Sequence, residues 1–299
     1  MDPQVIELFV PAFAFAFGAI IGSFLNVVIY RLPRAAEGLS ISHPRLSLCP
    51  RCGTTIRGYD NIPLLSYFIL AAKCRACRAP IPIRYFLIEL MTACLFGGLA
   101  LRYQPEWPVI AVYALLTAAL ISVSFIDIDL TIIPDRISIP GMLLAPLVSA
   151  AFPELHQHAG GDVGVGGFGD LATLHLAIAE PHLAAAVASL VGVVAGAAVI
   201  WLIGLAGTLM FRKEAMGFGD VKLFGMIGGY LGWKGMLIAL LLACFAGAAV
   251  GIVKLVATRD SYIPFGPFLS LGAVLVMLWR AEIVHFILVD YPGLVRGGR

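Results

Sequence analysis

The chain has 299 residues and a formal net charge of +2; 60% of its residues are hydrophobic and 13% are charged. Soluble domains carry roughly 25% charged residues, so a water-soluble globular enzyme is excluded. The composition is that of a polytopic helical membrane protein, and no nucleic-acid partner is expected.

Apolar runs long enough to cross about 30 Å of hydrocarbon recur along the chain. They fall at about 9–30, 85–101, 108–126, 137–152, 183–211, 220–233, 235–257 and 265–289. An all-α fold with about eight transmembrane helices follows. The sixth run is short and rich in glycine (Gly225, Gly228, Gly229, Gly232), so its limits are the least defined. No Lys or Arg precedes Arg31, and no A-x-A-like site follows the first run. That run is expected to be a retained helix and not a removed signal.

Between the first two runs, segment 31–84 holds Arg31, Arg34, Arg45, Arg51, Arg57, Lys73, Arg75, Arg78 and Arg84 against only Glu37 and Asp60. Segment 153–182 has no Lys or Arg. By the positive-inside rule the basic loop faces the cytoplasm and 153–182 faces outward. Eight spans then leave both termini outside and the 127–136 and 212–219 loops inside.

The basic loop contains Cys49-Pro-Arg-Cys52 and Cys74-Arg-Ala-Cys77, with 21 residues between the pairs. Each C-x2-C turn can direct two thiolates at one tetrahedral ion, as in zinc ribbons. A loop of about 54 residues cannot bury much core, so a structural metal gives it a reason to fold. Gly53 follows the first pair, where a residue tolerant of positive φ is useful. Disulfides are the competing reading, and a reducing cytoplasm disfavours them. Cys94 and Cys244 lie in apolar runs as packing residues. Two parts follow: 1–107, with the first two spans and the cysteine loop, and 108–299, a membrane domain with the 153–182 insertion.

Two aspartates stand where apolar runs meet the inner face: Asp127, opening Asp127-Ile-Asp129, and Asp220, ending Gly217-Phe-Gly219-Asp220. A carboxylate beside hydrocarbon is costly, and such groups are paired or face a wet cavity. On a continuing helix Asp127 and Asp129 point about 200° apart, so one of them faces a shared site. Pro134 should end regular helix near Ile133 and leave Asp135 as a solvated or capping charge. Gly217 and Gly219 permit a tight turn and close backbone approach. Lys222 can steady the carboxylate or neutralise a phospholipid, although anchoring at the interface explains it more simply. The same four letters recur at Gly167–Asp170, in a glycine-rich outer stretch that reads as loop. Two carboxylates at one site hold a proton between them. The ionised member can activate water while the protonated member donates to a carbonyl oxygen. No Ser-His or H-E-x-x-H arrangement competes, and the six histidines form no ligand cluster.

Taken together, these blocks resemble the type IV prepilin leader peptidases, bacterial inner-membrane aspartic proteases of the GxGD kind. The resemblance is carried by Gly22-Ser-Phe-Leu-Asn26 through Pro33, the two C-x2-C pairs, Pro82-Ile-Arg84-Tyr leading to Glu89, Ile126-Asp127-Ile-Asp129, and Met216–Leu223. It implies Asp127 and Asp220 as the catalytic pair, acting at the cytoplasmic membrane face. Implied substrates are type IV prepilins or type II secretion pseudopilins, cut after the glycine that ends a basic leader. Methylation of the new N-terminus with S-adenosylmethionine is implied by resemblance alone. Asn26 and Glu89, within spans, are expected to hydrogen-bond between helices or to touch substrate or methyl donor. Alternatives are a presenilin-like intramembrane protease, a proton- or cation-coupled transporter or scaffold, and a sugar-diphosphate site at Asp127-x-Asp129.

Overall fold

The computed structural model describes residues 3–42, 47–157, 180–212, 216–258 and 263–291. Gly167–Asp170 and most of the 153–182 insertion lie outside them. The chain forms two compact units, 1–126 and 127–299. Among the described residues β-structure is limited to two isolated bridges, Leu48 with Thr55 and Lys73 with Pro80.

In the first unit, α1 (Pro3–Arg31) packs along α3 (Ile83–Tyr103). The two approach closely because α1 presents small residues: a side chain on Gly22 would bring its Cβ to 2.7 Å from Glu89 Cα. Lipid gives no hydrophobic drive between helices, so such intimate van der Waals contact supplies the association. Asn26 adds a polar link, its Nδ2 donating to Tyr85 O across the pair at 3.2 Å. The connection from α1 to α3 includes the short helix α2 (Leu65–Ile69). After α3 the chain turns into α4 (Trp107–Leu130), and Arg84 Nη2 donates to Phe125 O at 3.3 Å.

The second unit is built from α5 (Asp135–Ala151), the single turn α6 (Glu154–Gln157), α7 (Pro181–Phe211), α8 (Phe218–Thr258) and α9 (Gly266–His285). Helix α8 packs on α5, α7 and α9. Along α7 and the first half of α8, Gly192 and Gly228 meet backbone to backbone, and a Cβ on either would overlap the other's carbonyl. Large apolar side chains such as Leu209, Val256 and Leu143 stay 65–81% exposed. Lipid, not water, is the solvent that accommodates them.

The sixth and seventh apolar segments are two helical stretches joined at Gly232, whose φ of 70 and ψ of 165 are non-helical. Only glycine adopts such an angle without penalty. The break releases a carbonyl, and Arg280 Nη1 on α9 donates to it, Leu231 O, at 3.2 Å. His156, fully buried, has its Nδ1 3.5 Å from where a Cβ on Gly232 would stand, and its Nε2 pairs with Ser149 Oγ at 3.0 Å. Six of the described helices are long and apolar enough to span a membrane. The eight expected segments thus appear as six long helices, one of them broken at Gly232, and the 17-residue α5.

The α7–α8 contact carries a test. Gly228→Leu overpacks a backbone contact and should cost about 1–3 kcal/mol, read as a lowered thermal midpoint in detergent. Gly58→Leu, with nothing within 4 Å of the added Cβ, should leave the midpoint unchanged.

Candidate active site and metal centre

Helix α4 carries no charged residue until Asp127, one turn from its end. It stops at Leu130, three residues before the expected limit, because Thr131 turns left-handed (φ 56) while its N–H still reaches Asp127 O at 2.8 Å. The helical phase separates the two candidate acids: Asp127 is buried at 6% exposure and Asp129 is exposed. A metal shared by both carboxylates would need them on one side, so the sugar-diphosphate reading loses its geometry.

Asp127 Oδ2 accepts the backbone N–H of Gly266 at 3.1 Å. Gly266 is the first residue of α9, where unpaired N–H groups and the helix dipole favour a carboxylate. A side chain there would bring its Cβ to 2.6 Å from Oδ2. The contact exists because residue 266 is a glycine.

Asp220 stands in the first turn of α8, its N–H on Gly217 O at 3.1 Å. Gly219 faces Ile133, and a Cβ there would lie 2.8 Å from Ile133 Cβ. Ile133 also lies 3.4 Å from where a Cβ on Gly266 would stand. One isoleucine therefore gauges the approach of both glycine-bearing segments. Gly217 has no comparable crowding; its part is the carbonyl that opens the turn. Asp220 lies within electrostatic reach of Asp127, and its Oδ1 is buried without a hydrogen-bond partner. The arrangement offers two carboxylates on converging elements, with acceptor capacity left for a water or a substrate donor.

Lys222 serves a different partner. Its Nζ pairs with Asp135 Oδ1 at 2.6 Å and lies over the Phe218 ring at 5.2 Å. Asp135 opens α5 and is 58% exposed. This pair ties the start of α8 to the start of α5 and does not touch the acids directly. Gly266 was missed in the sequence; the available signal was Gly266-Pro267 opening an apolar run.

The cysteine loop repeats one local structure twice. In the first knuckle Gly53 N–H reaches Cys49 O at 2.8 Å and Cys49 N–H reaches Thr54 O at 3.0 Å. In the second, Arg78 N–H reaches Cys74 O at 3.0 Å and Cys74 N–H reaches Ala79 O at 2.8 Å. The residue after the second cysteine has positive φ in both, 70 at Gly53 and 58 at Arg78. All four sulfurs lie within 4.8 Å of one another, with Cys49 and Cys77 Sγ 3.9 Å apart. Tetrahedral metal–sulfur bonds of about 2.3 Å place sulfurs about 3.8 Å apart, so the cluster fits one ion.

The thiols are already graded. Hydrogen bonds from the Thr54 hydroxyl and N–H pull Cys52 down to about 6. The N–H groups of Cys77 and Ala76 lower Cys74. For Cys77 the Ala79 N–H acts downward, but desolvation and the neighbouring sulfurs outweigh it and push the thiol up to about 11. A cation must displace that last proton, so metal affinity falls as pH falls. Beside the knuckles, Arg75 Nε donates to Asp60 Oδ2 at 2.8 Å and holds that carboxyl below its usual range.

Metal analysis of the purified chain should find one ion per molecule. Cys52→Ser and Cys77→Ser should each remove most of it, and Cys94→Ser and Cys244→Ser none.

Comparison with known proteins adds the following. Residues 16–103 match the bacterial peptidase A24 N-terminal domain, and residues 114–252 match the type IV leader peptidase family. A protein of Aeromonas hydrophila called prepilin leader peptidase/N-methyltransferase is 34% identical, over 93% of each chain. One of the same name in Pseudomonas aeruginosa is 34% identical over 90% of each. A Myxococcus xanthus protein, also so named, is 39% identical over 82% of this chain and 63% of its own. No solved structure matches the chain.

Proposed function

The chain belongs to the type IV leader peptidase family, and from that premise we propose that it is a membrane aspartic endopeptidase that removes the basic leader of type IV prepilins or type II secretion pseudopilins and methylates the new N-terminus. The observation that carries the hydrolytic half is the convergence of Asp127 and Asp220 through Gly266, Gly219 and Ile133.

The pair holds one proton between them. The ionised member takes a proton from a water held between the acids as that water adds to the scissile carbonyl. The protonated member gives its proton to the carbonyl oxygen. Collapse of the tetrahedral species breaks the carbon–nitrogen bond, and the amine leaves with a proton returned from the pair. Gly266 keeps Asp127 oriented, and Gly217 with Gly219 brings Asp220 up to it. Asp129 supports from the exposed side of α4, and Lys222 steadies the start of α8 through Asp135.

The relatives are bacterial, which suits an inner membrane, and the positive-inside rule orients the basic loop 31–84 and the 127–136 and 212–219 loops toward the cytoplasm. A prepilin offers its scissile bond there, between a positive leader and an apolar helix. The four cysteines, with tetrahedral all-thiolate ligation, suit structural zinc. S-adenosylmethionine would supply the methyl group. The N-terminal part, 1–107, carries the zinc loop, and 108–299 carries the peptidase.

Asp127→Asn and Asp220→Asn should each reduce leader cleavage more than about 10³-fold while the protein still accumulates, read on an immunoblot of unprocessed prepilin. Asp129→Asn should have a partial effect and Asp170→Asn none. Full cleavage by either of the first two variants would remove the assigned pair.

Gly266→Ala displaces the carboxylate it contacts. It should lower cleavage about 10²-fold with metal content unchanged.

A further inference from the structure

The short helix α2 is pinned beside the opening turns of a helix long enough to span a membrane. Leu64, just before α2, donates its N–H to Glu89 Oε2 on α3 at 2.8 Å. Tyr67 and Phe68 each lie against Phe86 of α3, with ring centroids 5.3 Å apart. The 21 residues of α3 rise about 30 Å, which matches the hydrocarbon thickness, so Ile83 at its start stands at the hydrocarbon edge. Phe86 and Glu89 then lie about 4.5 and 9 Å inward of Ile83. That is the depth, about 5–10 Å, at which helices lying in the membrane plane bury their apolar face. The contacts to Phe86 and Glu89 therefore hold α2 at the boundary of headgroups and acyl chains.

Its side chains suit that depth. Leu65, Phe68 and Ile69 are 58–68% exposed, while Ser66 and Tyr67 between them are half-buried. The spacing i, i+3, i+4 puts the three exposed residues on one helix face. Ile83 and Leu87, one turn apart on α3, are exposed as well. Around this apolar face the loop is cationic: residues 57–84 contain four Arg and one Lys against a single acid, Asp60, whose Oδ2 already accepts Arg75 Nε at 2.8 Å. We propose that α2 and its flanking loop form a docking surface for anionic phospholipid. Leu65, Phe68 and Ile69 enter the acyl boundary, and Lys73 and Arg78, both exposed, meet the phosphate headgroups. The charge selects this occupant. A basic leader or a second copy of the same loop would be repelled by the excess of cations. A zwitterionic surface would take the apolar side chains and leave that excess uncompensated.

The test uses the purified full chain in nanodiscs of equal parts phosphatidylglycerol and phosphatidylcholine. Each disc carries a trace of one lipid or the other with a photoreactive diazirine high on its acyl chain, and labelled peptides are mapped by mass spectrometry. The peptide covering 62–72 should be labelled, with phosphatidylglycerol favoured about fivefold or more. On α7 the two lipids should label about equally. Lys73→Gln combined with Arg78→Gln should bring the ratio on 62–72 toward one. Leu65→Ser combined with Ile69→Ser should remove most label from both lipids while the thermal midpoint is kept. If wild-type 62–72 takes no label while α1 and α3 do, the face lies outside the membrane and the proposal fails. A ratio near one in the wild-type chain overturns the recognition of anionic lipid. Label that leaves 62–72 when prepilin is added, replaced by crosslinks to prepilin, would give the face to the substrate and overturn it as well. None of these readouts involves cleavage or methyl transfer, so their failure leaves the proposed function standing.

Discussion

A carboxylate buried at the end of an apolar helix is unstable unless the protein supplies what water would have supplied. At Asp127 the supply is a backbone N–H, that of Gly266 at the positive end of α9. A main-chain donor costs no side-chain entropy and has one fixed direction, so it orients the acid as well as solvating it. It can come this close only because its residue has no Cβ. The same logic governs Asp220, whose turn reaches Ile133 because residue 219 is a glycine. Both acids are thus positioned by the absence of side chains on the elements that bring them together.

That arrangement places demands on the rest of the second unit. Helix α8 carries Asp220 in its first turn, and close glycine contact with α7 provides the hold that hydrophobicity cannot provide in lipid. Its register ends at Gly232, where the helix breaks and Arg280 satisfies the carbonyl of Leu231. The half of α8 that carries the acid is therefore bounded by a glycine turn at one end and a capped break at the other. Lys222 and Asp135 add a link between the starts of α8 and α5.

The first unit meets a different difficulty. Its connecting loop is too small to fold on its own core, and four cysteine sulfurs within 4.8 Å of one another could hold a metal in place of one. The two knuckles have matching hydrogen bonds and matching positive-φ positions, yet the second uses Arg78 where the first uses Gly53. A metal bound by Cys74 and Cys77 would offset the backbone penalty of an arginine in that region.

Composition and periodicity determined the solvent, the helical class and the two cysteine pairs, because these depend only on residue type and spacing. Helical phase separated Asp127 from Asp129 in the same way, and the structure has the first buried and the second exposed. Tertiary structure decided what depends on partners distant in the chain. Gly266 lies 139 residues from the acid it holds. Lys222 pairs with Asp135 and not with Asp220. The boundary between the sixth and seventh apolar runs falls at Gly232, where φ is 70. A sequence records which residues lack a side chain; only packing reveals what that missing side chain lets in.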